Sequence, residues 1–210
     1  MWSAQRRRSN RLCFTVIPMS RLLLLRHGET TWNVEQRWQG WIDVPLNENG
    51  VAQAAARARA LGHEGFAPRA VFTSDLQRAS RTADIIAAHV EAPVIPSPGF
   101  RERFGGEWEG HTHAEIDERW PGMRAAWRRG ELTSPPGGET DAAVLARFDD
   151  ALGDVLLHVG GGIAGIVTHH GLARLVATRA GVNVHDVIPN LGGFWFDVVN
   201  GRLLNPEALV

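Results

Sequence analysis

The sequence predicts an α/β protein: a three-layer α/β/α sandwich around a mostly parallel, doubly wound sheet, in one domain. Three observations carry this. Short apolar runs, rather than alternating ones, mark strands covered on both faces. These runs alternate with segments of helical spacing, the pattern of successive βαβ units. A chain of 210 residues has the size of one such domain.

The elements follow in order. Leu22–Leu25 is an apolar run ending at Arg26-His27-Gly28, and reads as a buried strand. Pro45-Leu46-Asn47 leads into a helix from about Glu48 to Leu61, with Asn47 as N-cap and Gly62 as stop. Ala70–Thr73 is a second strand. Ser74 reads as the cap of a helix running to about His89, with Gln77 completing a capping box. Val94-Ile95 is a third strand. Thr112 and Glu115 form a capping box for a helix that ends before Pro121. Residues 121–139, rich in Pro, Gly and Arg, read as an irregular lid, and 103–139 as the segment that sets specificity. Thr140–His158 has helical spacing, Ile163–Thr168 is a fourth strand, and Leu172–Ala180 is a helix stopped by Gly181. Phe194–Val199 and Arg202–Leu204 flank Asn200-Gly201, a hairpin signature.

Composition excludes much. All 22 basic residues are arginine, so there is no P-loop of the GxxxxGK[ST] type and no Schiff-base lysine. There is no tyrosine to act as acid or base. The one cysteine, Cys13, excludes a disulfide framework and a zinc–thiolate site. Residues 1–20 hold four arginines and no acid, while the remainder holds 18 arginines against 23 acids. The leader reads as a disordered or non-native extension, with Met19 as a natural start. The acidic body is a poor match for nucleic acid. No stretch approaches the ~20 apolar residues that span a bilayer, and the expectation is a cytoplasmic protein.

In a doubly wound sheet, ligands bind outside the carboxyl ends of the strands. That rule selects Arg26-His27-Gly28 after the first strand, Ser74–Arg78 after the second and His169-His170-Gly171 after the fourth. A neutral imidazole is a competent nucleophile near neutral pH. Arginine offers a planar fork of donors that matches a phosphate. Arg78 falls in the first turn of a helix, where free N–H groups also favour an anion. Gly28 reads as room for a substrate to approach the backbone. Together these residues describe a dianion pocket with a nucleophile inside it.

The sequence resembles the histidine phosphatase superfamily, also called the phosphoglycerate mutase-like family. The matching stretches are Leu24–Thr30, Trp32-Asn33, Gln39-Gly40-Trp41, Pro45–Gly50, Ser74–Ala79, Arg101-Glu102, Glu107–Gly110 and Val167–His169, in family order from about residue 21 to 200. The resemblance implies a phosphohistidine on His27, clamped by Arg26, Arg78 and His169. It implies that Asn33, Gln39 and Gly40 complete the pocket, and that Glu102 is the general acid and then the base. No metal and no cofactor are implied. The partner implied is a small phosphorylated metabolite, and a homodimer stays open. The family usually has glycine after the second histidine. Here His170 stands there, lining the pocket or merely replacing the glycine.

The resemblance fits phosphatases better than cofactor-dependent mutases. Mutases use a tyrosine and a lysine after the acid, and Gly105 and His113 occupy those places. Trp127-Arg128-Arg129 resembles a tandem arginine of mutases, or is surface charge. Three other motifs read as structural. Gly160–Gly165 matches GxGxxG but follows a helix and opens a strand, the reverse of a dinucleotide fingerprint. His111-Thr112-His113 lacks the spacing of dinuclear metal sites. Trp32, Trp38 and Trp41 either stack on a ligand or pack the loop against the sheet.

Overall fold

The computed structural model describes residues 20–184 and 187–209. The leader therefore lies outside the described residues, apart from Ser20, which opens the first strand. The strands are β1 (Ser20–Arg26), β2 (Ala70–Thr73), β3 (Val94–Pro96), β4 (Ile163–Thr168), β5 (Gly193–Val199) and β6 (Arg202–Leu209). They form one sheet in the order β3-β2-β4-β1-β5-β6. The first four are parallel, and the β5–β6 hairpin joins β1 antiparallel. Asn200 and Gly201 turn the hairpin, both at positive φ (51° and 76°), as a type I′ turn requires.

Both faces of the sheet are covered, which is why β1 is apolar at every position. Leu22 and Leu24 face a layer with Phe148, Val155 and Leu172, from α6 (Asp141–Val159) and α7 (His170–Arg179). Leu23 and Leu25 face the opposite layer with Leu61, Ala83 and Ile86, from α2 (Glu48–His63) and α3 (Gln77–Val90). Burying one such leucine contributes roughly 1.5–3 kcal/mol, so β1 holds the two layers on one rigid strand.

Three expectations need correction. Ser74 does not cap α3. The helix starts at Gln77 with Leu76 at the N-cap and no side-chain cap of its own. Asp43 takes that role from a distant loop, accepting from Gln77 N at 2.7 Å and Gln77 Nε2 at 3.1 Å, while Ser74 Oγ accepts from Leu76 N at 3.3 Å. Helix α7 begins at His170, two residues before the expected start. Residues 121–139 are not wholly irregular: after α1 (Thr31–Val34) and α4 (His113–Arg119), α5 spans Met123–Arg128. Its only anchor in the aromatic cluster is Trp127, packed edge-on against Trp38 and Trp108.

Candidate active site

The register of β1 on β4 pairs Arg26 with Thr168, so the two strand-end histidines leave the sheet side by side. His27 N donates to Thr168 O at 2.9 Å, and the His27 and His169 rings meet edge-on with centroids 5.1 Å apart. β2 ends beside them, since Ser74 N donates to Val167 O at 3.0 Å.

His27 is 3% exposed. Its Nδ1 lies 2.6 Å from Gly28 O. A carbonyl only accepts, so Nδ1 carries the proton and Nε2 keeps its lone pair. Burial, then the charges of Arg78 and Arg26, holds this imidazole well below the ordinary histidine range. His169 has the complementary state. Arg78 Nε donates to its Nδ1 at 3.2 Å, so the proton of neutral His169 sits on Nε2. That Nε2 is buried without a partner. Burial and the Arg78 charge likewise hold His169 well below its usual range. One imidazole is thus set as a nucleophile and its neighbour as a donor.

Arg78 is fully buried. Besides His169 it donates to Ile42 O at 2.9 Å and Gly40 O at 2.7 Å. Arg26 donates to Ile188 O at 2.6 Å, and its Nε has no partner. Neither forms an ion pair with a carboxylate among the described residues. Burial lowers each guanidinium to about 10. Glu102 acts on both through its charge, and Asp43 and Glu109 on Arg78, but none is in contact; two buried cations without a contact ion pair are costly, and an anion between them would relieve that cost. Among buried polar side-chain atoms left without partners, Arg26 Nε, Gln39 Oε1, His169 Nε2 and His170 Nδ1 lie on the segments that converge here.

Glu102 faces this group. Its Oε1 accepts from Arg103 N at 2.8 Å and its Oε2 from Gly171 N at 2.9 Å. A Cβ at residue 171 would meet Glu102 Oε1 at 2.4 Å. The glycine needed beside the carboxylate therefore sits one residue after His170. Arg147 bridges to Gly99 O, Arg101 O and Glu102 O at 2.8–3.0 Å, which fixes the loop that carries Glu102.

With the geometry in view, the comparisons decide the family. The sequence profile of the histidine phosphatase superfamily (branch 1) matches residues 22–187. The chain belongs to this superfamily. A glucosyl-3-phosphoglycerate phosphatase of Mycolicibacterium vanbaalenii is 37% identical over 181 residues, covering 82% of this chain and 79% of that protein. One from Mycobacterium tuberculosis is 42% identical over 127 residues, covering 60% of this chain, and the match spans 56% of that protein's length. The native structure of a mycobacterial glucosyl-3-phosphoglycerate phosphatase superposes with a TM-score of 0.79 at 32% identity, covering 91% of this chain and 98% of that one.

The histidine phosphatase fold brings His27, Arg26, Arg78, His169 and Glu102 to one sheet edge, with His170 beside them. Asn33 commits Oδ1 to Thr30 N at 3.1 Å, and Asn190 Nδ2 approaches it at 3.5 Å. Its remaining polar atom is the Nδ2 donor, the polarity an anion needs. The Gly40 carbonyl accepts from Arg78 at 2.7 Å, which places this residue at the wall of the group. Gly28 leaves no room for a substrate. A Cβ there would meet Gly50 O at 2.6 Å, so this glycine lets the nucleophile loop pack on α2. Among the tryptophans, Trp38 packs against Trp108 (5.2 Å between centroids) and Trp41 donates to Glu102 O at 2.8 Å, while Trp32 lies under Arg37. The packing reading holds for these contacts. His111 engages Arg119, and among the described residues no group of three or more His, Cys, Asp or Glu could hold a metal. Gly160–Gly162 forms the α6–β4 loop.

Sequence reasoning missed Asp43, Glu109 and Asn190. Glu109 Oε1 accepts from Trp41 N and Gly105 N, each at 2.8 Å. Asn190 Nδ2 donates to His27 O at 2.8 Å. Glu109 lies in the matching stretch Glu107–Gly110 without a role assigned to it, and nothing local marks Asp43 or Asn190, whose partners are distant in sequence.

The site histidines make stability pH-dependent. His27 and His169 lie well below 6.5 in the fold, and burial, then the charge of Arg26, brings His170 to about 4. Below pH 6.5 the unfolded chain binds protons that the native site refuses, so stability falls as pH drops from 6.5 toward 4. Each of the three groups contributes a slope of up to ~1.4 kcal/mol per pH unit. Urea unfolding at pH 7, 6 and 5 is expected to show a falling midpoint. A flat profile would mean that the histidines are already charged in the native site.

Proposed function

We propose that this chain is a metal-independent phosphatase that hydrolyses a small phosphomonoester through a phosphohistidine on His27. The observation that carries it is the paired tautomers: Nδ1–H of His27 on Gly28 O, and Nδ1 of His169 on Arg78 Nε. His27 Nε2 attacks phosphorus as the ester P–O bond breaks, and Glu102, as the acid, gives its proton to the leaving oxygen. Glu102, now a carboxylate, takes a proton from water. The water oxygen bonds to phosphorus, the P–N bond breaks and its electrons return to Nε2. Arg26, Arg78, Asn33 and the His169 Nε2–H hold the equatorial oxygens, where charge must be balanced in phosphoryl transfer. His170 lines the same pocket, and Gln39 and Gly40 hold its wall. The names of the phosphatase relatives support hydrolysis.

Hydrolysis is also favoured over mutase chemistry by the place that a mutase gives to tyrosine. A Cβ on Gly105 would meet Trp38 Nε1 at 2.4 Å, so no side chain fits there. Arg129, of the tandem pair, is tied to Glu131 on the surface at 2.5 Å.

Glu102→Gln tests the reading. On glycerol 3-phosphate, a poor leaving group, the rate should fall ~10²–10⁴-fold. On p-nitrophenyl phosphate, whose phenolate leaves without a proton, the variant should release a burst of one nitrophenolate per site and then turn over slowly. Wild type should release phosphate from 3-phosphoglycerate without isomerising it. Equal slowing on both esters without a burst would remove Glu102 from the mechanism, and isomerisation without phosphate release would favour the mutase.

A further inference from the structure

Glu102 sits on a segment that has no helix or strand to hold it. A single 3₁₀ turn spans Pro98–Phe100, and residues 101–105 carry no regular structure. The backbone groups of such a segment still need partners, and two side chains supply them. Arg147, on α6, has five N–H donors, and all five are engaged. Nη1 donates to Gly99 O at 3.0 Å and to Arg101 O at 2.8 Å. Nη2 donates to Glu102 O at 2.8 Å, an oxygen that also accepts from Trp41 Nε1. Nε and Nη2 close a two-point pair with Glu139 Oε1 and Oε2, each at 3.0 Å.

Glu139 holds the same segment from its other end. Its Oε2 accepts from Phe104 N at 2.8 Å, and its own N donates to Phe104 O at 2.9 Å. Its carbonyl accepts from Arg103 Nη1 at 2.7 Å, and Arg103 N is a donor to the Glu102 carboxylate. Arg147 thus grips residues 99, 101 and 102, Glu139 grips 103 and 104, and Glu102 lies between the two grips. Both side chains are 19% exposed. A buried ion pair is weak evidence for stability, since apolar residues of like volume often serve as well. Apolar residues could not fix the direction of five backbone groups. Among the described residues, none of the bonds of this pair goes to His27, Arg26, Arg78 or His169.

We propose that Arg147 and Glu139 are positioning residues for the general acid: they hold the Glu102 carboxyl on the leaving oxygen and act on the reaction only through it. This rests on the phosphatase reading and gives the pair one part of it, the two proton transfers.

The test follows Arg147→Lys and Glu139→Gln on glycerol 3-phosphate and p-nitrophenyl phosphate. An ammonium has three donors and no fixed plane, so at least two of the five bonds are lost. Misplacing a reacting group by about 1 Å costs ~10²-fold, and kcat on glycerol 3-phosphate should fall on that scale with KM nearly unchanged. The first nitrophenolate leaves without a proton, so both variants should release it at the wild-type rate and then turn over slowly, because Glu102 must still take a proton from water. Adding Arg147→Lys to Glu102→Gln should slow glycerol 3-phosphate no further, since both changes act at one place. Slowing of the first nitrophenolate as large as that of glycerol 3-phosphate, or further slowing in the double variant, overturns the inference. If Glu102→Gln shows the difference between the esters and the pair variants do not, this inference alone falls. If Glu102→Gln itself slows both esters equally without a burst, the acid role falls and the inference with it.

Discussion

His27→Ala is expected to lower kcat/KM by ~10⁴-fold or more, the scale seen when a covalent nucleophile is removed. The size follows from the lack of a substitute. The His169 ring packs on His27 at 5.1 Å, but Arg78 Nε occupies its Nδ1. Its remaining nitrogen carries a proton and has no lone pair to offer. Ser74 Oγ is engaged with Leu76 N. Rapid acid and base quenches of wild type with labelled substrate should show an acid-labile, base-stable phosphoenzyme, and the variant should show none. A variant that hydrolyses at the wild-type rate would rule out the covalent route.

The parts of this site that were legible in the sequence are those set by local chemistry at strand ends. Leu22–Leu25 is apolar at every position because both faces of the sheet are covered, and that run placed Arg26-His27 at a carboxyl edge. Ile163–Thr168 did the same for His169, and the β1–β4 register then made the two imidazoles neighbours. What was not legible depends on distant partners. Asp43 caps a helix 34 positions away. Gly28 looked like substrate room because nothing local reveals that Gly50 packs into it. The first turn of α7 was missed because His170 and Gly171 read as site residues rather than helix, yet they are both: Gly171 N holds Glu102 from within the helix. The short α5 is not legible because six residues, Met123–Arg128, are too few to display a helical period, and Trp127 does its packing.

Arg78→Lys is expected to cost about 10³-fold in kcat/KM although it keeps the charge. Arg78 presents five N–H donors in one plane. Three of them go to His169 Nδ1, Ile42 O and Gly40 O. Those bonds fix the plane and leave two N–H groups for phosphoryl oxygens. An ammonium has three donors and no fixed plane. It cannot serve three protein acceptors and an oxyanion together, and it releases the tautomer of His169. Removal of one preorganised oxyanion donor costs ~10²–10³, and here two are disturbed. The same geometry predicts how wild type responds to orthovanadate. Its two buried guanidiniums lack carboxylate partners, so an anion that binds only the native site should stabilise it by ~2.7 kcal/mol at 100 times its Kd, a rise of roughly 5–10 °C in Tm for a chain of this size. Arg78→Lys should lose most of that rise. If the variant stayed within tenfold of wild type and kept the full thermal shift, Arg78 would be a structural cation and the phosphoryl group would have to be held by Arg26 and the imidazoles alone.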